Sequence, residues 1–185
     1  MVSVLALVVG LGLVALSAWT RPLADGDEAT RAGQLEQALE RYAAGEARFD
    51  RLPVTKQLLP AAYHSSIENQ LWLQYRLRNY DTLLEKAATS PSIAPTHFWA
   101  GCALFEKAQE EENAEARLGW LGRAAEEFRK ALERAPADWD AKYNYELSER
   151  LLAEMRKNPK TPPKQMLQLL RPEPKAGGRP GRRVG

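Results

Sequence analysis

The chain holds one cysteine, Cys102, and two histidines, His64 and His97, in 185 residues. One cysteine excludes an intrachain disulfide and a thiolate metal cluster. It gives no redox address, because a lone thiol suits either side of a membrane. Period-2 runs of β-branched residues bounded by turns are missing, which excludes a sheet-based fold. No glycine-rich loop suits a phosphate, since Gly10 and Gly12 lie in an apolar run. No charged side chain occurs before Arg21. A secretory leader normally carries a basic start and a shorter apolar stretch than this.

What is present is a segregated charge. Residues 1–156 carry 18 Lys/Arg against 23 Asp/Glu, and residues 157–185 carry 8 against one. An acidic body therefore bears a basic tail, and the whole nets only +2.

Residues 1–19, MVSVLALVVGLGLVALSAW, are apolar on every face and long enough for a hydrocarbon core at about 1.5 Å per residue. Trp19 falls where an interfacial aromatic belongs, and Arg21-Pro22 ends the run. The reading is a retained transmembrane anchor over 1–20. The competing reading is a leader cleaved after Ala15-Leu16-Ser17.

Beyond it the pattern is helical over 25–157. Asp25-Gly26-Asp27-Glu28 is expected to cap the first body helix. Leu35, Ala38, Leu39 and Tyr42 make one apolar stripe, and Gly45 or Phe49 ends that helix before Pro53. Pro60 opens a segment with Tyr63, Ile67, Leu71, Leu73, Tyr75 and Leu77. Residues 77–81 read as a turn, and 81–92 as a short helix stopped by Pro91. A loop at 93–95 and a Thr96 cap precede a helix running from His97 to Ala116. Leu118, Trp120, Leu121, Ala124, Ala125, Phe128, Ala131 and Leu132 follow, closed by Pro136. Asp138 caps a last helix whose inner face should carry Trp139, Tyr143, Leu147, Leu151 and Met155.

Two segments share a spacing: Ala38 with Tyr42, and Ala124 with Phe128. Small residues let two helices approach, and the aromatic fills the space between them. This resembles the second helix of a tetratricopeptide repeat, with 78–91 a weaker copy. The fold class expected is all-α: a transmembrane helix, then tetratricopeptide-like antiparallel hairpins. The tail 158–185 has six prolines and four glycines and reads as disordered. Its apolar island, 166–170, is either part of a solvated extension or a short docking motif.

Chemistry-bearing constellations are scarce, and no catalytic, metal or cofactor site is expected. His64 and Glu68 lack the spacing of a zinc helix. His97 reads as a surface or capping residue, and Cys102 as a small core residue. Glu110, Glu111, Glu112 and Glu115 read as a solvated helix face, since no calcium loop surrounds them. The basic tail lacks interleaved aromatics, which argues against nucleic acid.

One block is more specific. Asp138, Trp139, Asp140, Ala141, Lys142, Tyr143, Asn144, Glu146 and Leu147, followed by a proline-rich basic tail, resemble the MxaK-type proteins of bacterial methanol-oxidation clusters. Related operons pair a MoxR-type AAA+ ATPase with von Willebrand factor A proteins. The resemblance implies a non-enzymatic accessory protein, single-pass in the inner membrane with a periplasmic body. It would help insert calcium into a methanol dehydrogenase-like client. Its expected partners are the ATPase, the von Willebrand factor A proteins and the metalloenzyme. Within the block, Trp139, Asp140, Tyr143, Asn144 and Glu146 form either a capping and packing motif or a partner-docking face. A generic periplasmic scaffold for cytochrome or envelope assembly is the alternative.

Overall fold

The computed structural model describes residues 2–157; the side chains of residues 2–5, 8 and 13, together with Met1 and residues 158–185, lie outside the described residues. The expectations for the basic tail and for its 166–170 island therefore fall outside them.

Eight helices make the described chain: α1 (Val2–Arg31), α2 (Leu35–Arg51), α3 (Val54–Leu58), α4 (Pro60–Arg76), α5 (Tyr80–Thr89), α6 (Ala94–Glu110), α7 (Ala114–Arg134) and α8 (Trp139–Lys157). No strand occurs among the described residues, so the all-α expectation holds. The principal contacts run α1 on α2, α2 on α4, α4 on α5, α5 on α6, α6 on α7 and α7 on α8. Helices α1, α4 and α6 also touch in succession. The result is a stack of antiparallel hairpins ending in α8.

The two recurring aromatics explain the pairing. A Cβ added to Gly26 of α1 would lie 3.0 Å from the ring of Tyr42 in α2. One added to Gly101 of α6 would lie 2.7 Å from the ring of Phe128 in α7. In both hairpins a glycine on the first helix receives the aromatic of the second, so the backbones approach closely. Ala38, Tyr42, Ala124, Phe128 and Ala131 are all buried, while Leu132 is only half-buried.

The start of the body departs from expectation. Asp25–Glu28 cap nothing, because α1 continues unbroken from the apolar run through Pro22 to Arg31. Proline has no N–H for the carbonyl four residues back, and its ring crowds that turn. Here the Arg48 guanidinium of α2 supplies the missing donor: Nη1 donates to Ala18 O at 2.6 Å and to Trp19 O at 3.0 Å. We expect Arg48→Met to lower stability by about 1 kcal/mol in urea unfolding, by removing the charged donor that these carbonyls share. Pro22→Ala should restore most of the loss, since it returns the helix's own donor. Equal losses with and without Pro22 would refute this account.

Other boundaries have local causes. The 77–79 turn closes with Asn79 N donating to Gln74 O at 2.9 Å, and it places Arg78 at a φ of 59°. Thr96 does not cap α6. It is buried inside the first turn, and the cap position falls to Ile93. The helix from His97 stops at Glu110, and Asn113 caps α7, its Oδ1 accepting from the amides of Glu115 and Ala116. Arg117 donates to the carbonyls of Glu111 and Glu112, which secures the connection. Residues 114–117, in part assigned above to the preceding helix, thus form the first turn of α7.

Among the described residues no helix is long and apolar enough to cross a membrane. The apolar run 1–19 falls partly outside them. Of its described side chains, Leu7, Val9, Leu11, Val14 and Leu16 are exposed.

Candidate functional site

Helix α8 ends the stack and presents the candidate site. Asp138 caps it as expected, Oδ1 accepting from the amides of Asp140 and Ala141 at 3.0 Å. Ala141, Ser148, Leu151, Leu152 and Met155 are buried, and Leu151, Leu152 and Met155 share a core with Ala108, Leu121 and Ala125. The expected inner face is therefore half wrong. Leu151 and Met155 are buried and Leu147 is half-buried, but Trp139 is 76% and Tyr143 67% exposed. The reason is the width of the contact with α7: small Ala141 and Ser148 take the close positions, which rotates the aromatics outward.

The five residues singled out in the sequence thus lie along one helix. Trp139, Asp140, Tyr143 and Glu146 are exposed; Asn144 is half-buried and donates from Nδ2 to Asp140 O at 2.9 Å. The Lys142 ammonium stands 5.0 Å from the Trp139 ring centroid, a cation–π contact that holds the indole against its helix. Trp139, Tyr143 and Glu146 recur at i, i+4 and i+7, so they form one stripe. Two exposed aromatics with few rotatable bonds, beside charged groups, suit a protein contact.

A second feature was not legible in the sequence. Helices α5 and α7 flank a groove of about 790 Å³ floored by Thr96, Ala100 and Leu104 of α6. His97, expected at the surface, sits at its edge. Its Nε2 is 2.7 Å from Ser92 Oγ and its Nδ1 2.6 Å from Glu127 Oε2. Ser, His and carboxylate in that order resemble an acyl-transfer relay. Arg134, however, donates from Nη2 to Ser92 Oγ at 2.5 Å and from Nε to Ser92 O at 2.7 Å. With its hydroxyl engaged on both sides and its carbonyl held, Ser92 serves as the knot that ties the α5–α6 connection to α7. No sequence signal marks this network, since its partners lie 30 and 42 residues apart.

Burial would raise the Glu127 carboxyl, but hydrogen bonds from His97 and Lys130, with the Lys130 charge, outweigh it and hold the group below its ordinary value of 4.5. A lowered carboxyl stabilises the fold above its unfolded value and loses that contribution as pH falls through the folded one. Glu127→Gln should therefore cost about 1–2 kcal/mol at neutral pH. Its deficit against the parent should shrink below the ordinary carboxyl value. A deficit constant from pH 7 to pH 3 in urea unfolding would exclude the charged tie.

The remaining candidates are accounted for by packing. Burial, then the nearby Glu106, Asp140 and Asp138 charges, push the Cys102 thiol up to about 12, so it stays protonated and unreactive at neutral pH. His64 is half-buried and stacks near Tyr63, the ring centroids 5.8 Å apart. Glu110 pairs with Arg78 at 2.6 Å. Among the described residues no group of three His, Cys, Asp or Glu side chains is placed to hold a metal. On the face made by α1, α4 and α6, Asp27, Arg31, Glu68, Trp72 and Trp99 line a shallower hollow of about 470 Å³.

Compared with protein-family models, with curated proteins and with solved structures, the chain matches none.

Proposed function

We propose that the chain is a non-enzymatic, membrane-anchored helical adaptor that holds protein partners through the exposed stripe of α8. The stripe is the observation that carries the reading. Trp139 and Tyr143 lie on an otherwise well-packed helix, where burial of either would contribute stability that the fold forgoes. The uncharged run 1–19 and the exposed apolar side chains of α1 support an inner-membrane anchor. The glycine–aromatic pairing of two hairpins supports a tetratricopeptide-like stack, whose repeats serve as protein-binding scaffolds.

The MxaK-like block locates the partners by class. We take them to be a MoxR-type AAA+ ATPase and von Willebrand factor A proteins in an assembly that matures a periplasmic metalloenzyme, as in calcium insertion into a methanol dehydrogenase-like client. On this reading the body is periplasmic. Affinity capture of the full chain from membranes tests it. Recovery of either partner class with the parent, and its loss with Trp139→Ala/Tyr143→Ala, is the expected result. Capture of neither class would leave the broader reading, a periplasmic scaffold for cytochrome or envelope assembly, which the hairpin stack favours equally.

A further inference from the structure

Outside the apolar run, the large exposed hydrophobic side chains among the described residues form two groups. One is Trp139 and Tyr143. The other is Leu52 at 47%, Val54 at 51% and Leu58 at 70% exposed, all on α3 or beside its start.

Their place in the fold follows from the α1–α2 hairpin. Helix α2 runs back along α1, and the Arg48 contacts set Arg48 level with Ala18 and Trp19. Phe49 meets Trp19 edge-on with ring centroids 6.3 Å apart, which fixes the same level. At about 1.5 Å per residue, the step from Arg48 to Leu52 carries the chain roughly 6 Å past Trp19, toward the apolar run. There α3 turns the chain back, and Tyr63 of α4 rejoins Phe49 at 5.5 Å. The short helix is thus the cap of the body at the end where the apolar part of α1 emerges.

Its faces are sorted. Thr55 is buried, its hydroxyl donating to Leu52 O at 2.6 Å. Val54 and Leu58, four residues apart, are exposed one turn from each other. Arg51 beside the start of α3 is exposed, and Lys56 leans back over the Tyr63 ring at 4.7 Å while pairing with Asp50 at 2.7 Å; on α1, two residues to the body side of Trp19, Arg21 is exposed too. Asp50 pairs with Lys56, and Asp25, one turn beyond Arg21 on α1, lies 4.0 Å from Arg21. Arg51 is left facing outward.

We infer that α3 is a second membrane contact: Leu52, Val54 and Leu58 enter the headgroup region of the bilayer that α1 crosses, and Arg21 and Arg51 meet anionic lipid phosphates. This rests on the anchor reading above and adds to it. A depth of roughly 6 Å past an interfacial tryptophan matches that of amphipathic segments lying in the interface. With Arg48 clamping α1 across Pro22, two contacts hold the body at one fixed orientation, so that α8 is presented at a set angle to the membrane.

The test uses the full chain in nanodiscs containing phosphatidylglycerol. An environment-sensitive fluorophore is placed on Val9→Cys, Leu58→Cys or Tyr143→Cys, each in a Cys102→Ala background, and quenched by lipids spin-labelled at shallow or deep positions. We expect deep quenching at position 9, shallow quenching at position 58 and none at 143. Quenching at 9 without quenching at 58 overturns the α3 contact and leaves the anchor standing. No quenching at 9 overturns the anchor, and the α3 contact with it. Shallow quenching at 58 that is unchanged when phosphatidylcholine replaces phosphatidylglycerol overturns the part assigned to Arg21 and Arg51.

Discussion

Phe128→Ala is expected to destabilise the body by about 3–5 kcal/mol. The ring is 1% exposed and belongs to a core with Leu104 and Ala124, with Phe98 at 6.0 Å between ring centroids. It also occupies the space a side chain at position 101 would need, its Cε1 lying 2.7 Å from where a Cβ would fall. Removing the ring leaves a cavity between α6 and α7, which a close-packed interior fills only partly. The complementary change, Gly101→Ala, forces ring and backbone apart at a cost of about 1–3 kcal/mol. Because both changes act on one space, they should not add. Phe128→Ala/Gly101→Ala should unfold at a higher urea concentration than the sum of the singles predicts. Strict additivity would mean that the two helices are not held by this pair.

Trp139→Ala/Tyr143→Ala should do the reverse, leaving the fold intact while abolishing its proposed use. Both side chains are exposed, so unfolding should shift by no more than about 0.5 kcal/mol. Exposed aromatics that anchor an interface contribute about 2 kcal/mol or more each, on the order of 30-fold in affinity per residue. Binding of the captured partner, measured by calorimetry against the parent, should therefore fall to near the detection limit. A double variant that unfolds early would return Trp139 and Tyr143 to a packing role. One that folds and binds like the parent would remove α8 as the docking face.

These two regions also show how far a sequence can be read. The Ala38–Tyr42 and Ala124–Phe128 pairs are legible because helical periodicity and residue size together state which face is buried. Pro60, the turn after Arg76 and the Asp138 cap are legible because each acts on backbone within a few residues, although the turn closes at Asn79 and Tyr80 and Asp81 already belong to α5. The continuity of α1 was not, since the donor that rescues Pro22 comes from Arg48 on another helix. The outward turn of Trp139 and Tyr143 was missed because an i, i+4 aromatic pair fits either face. The decision lay with small Ala141 and Ser148, whose burial expresses the closeness of α7. The Ser92–His97–Glu127–Arg134 tie joins three segments, and spacing along the chain carries no trace of it. Of the candidate docking residues, Trp139, Asp140, Tyr143 and Glu146 are exposed and Asn144 is half-buried, although the expected inner face pointed the two aromatics inward.

The proposed adaptor holds its docking surface outside the inner membrane on a retained anchor. Reporter fusions after Gly185, alkaline phosphatase in one and a fluorescent protein that folds only in the cytoplasm in the other, test it most directly when read in carbonate-washed membranes. An anchored periplasmic body gives phosphatase activity that stays with the membranes and a dark fluorescent fusion. A bright fluorescent fusion with an inactive phosphatase, or active phosphatase released into the soluble fraction, would contradict it.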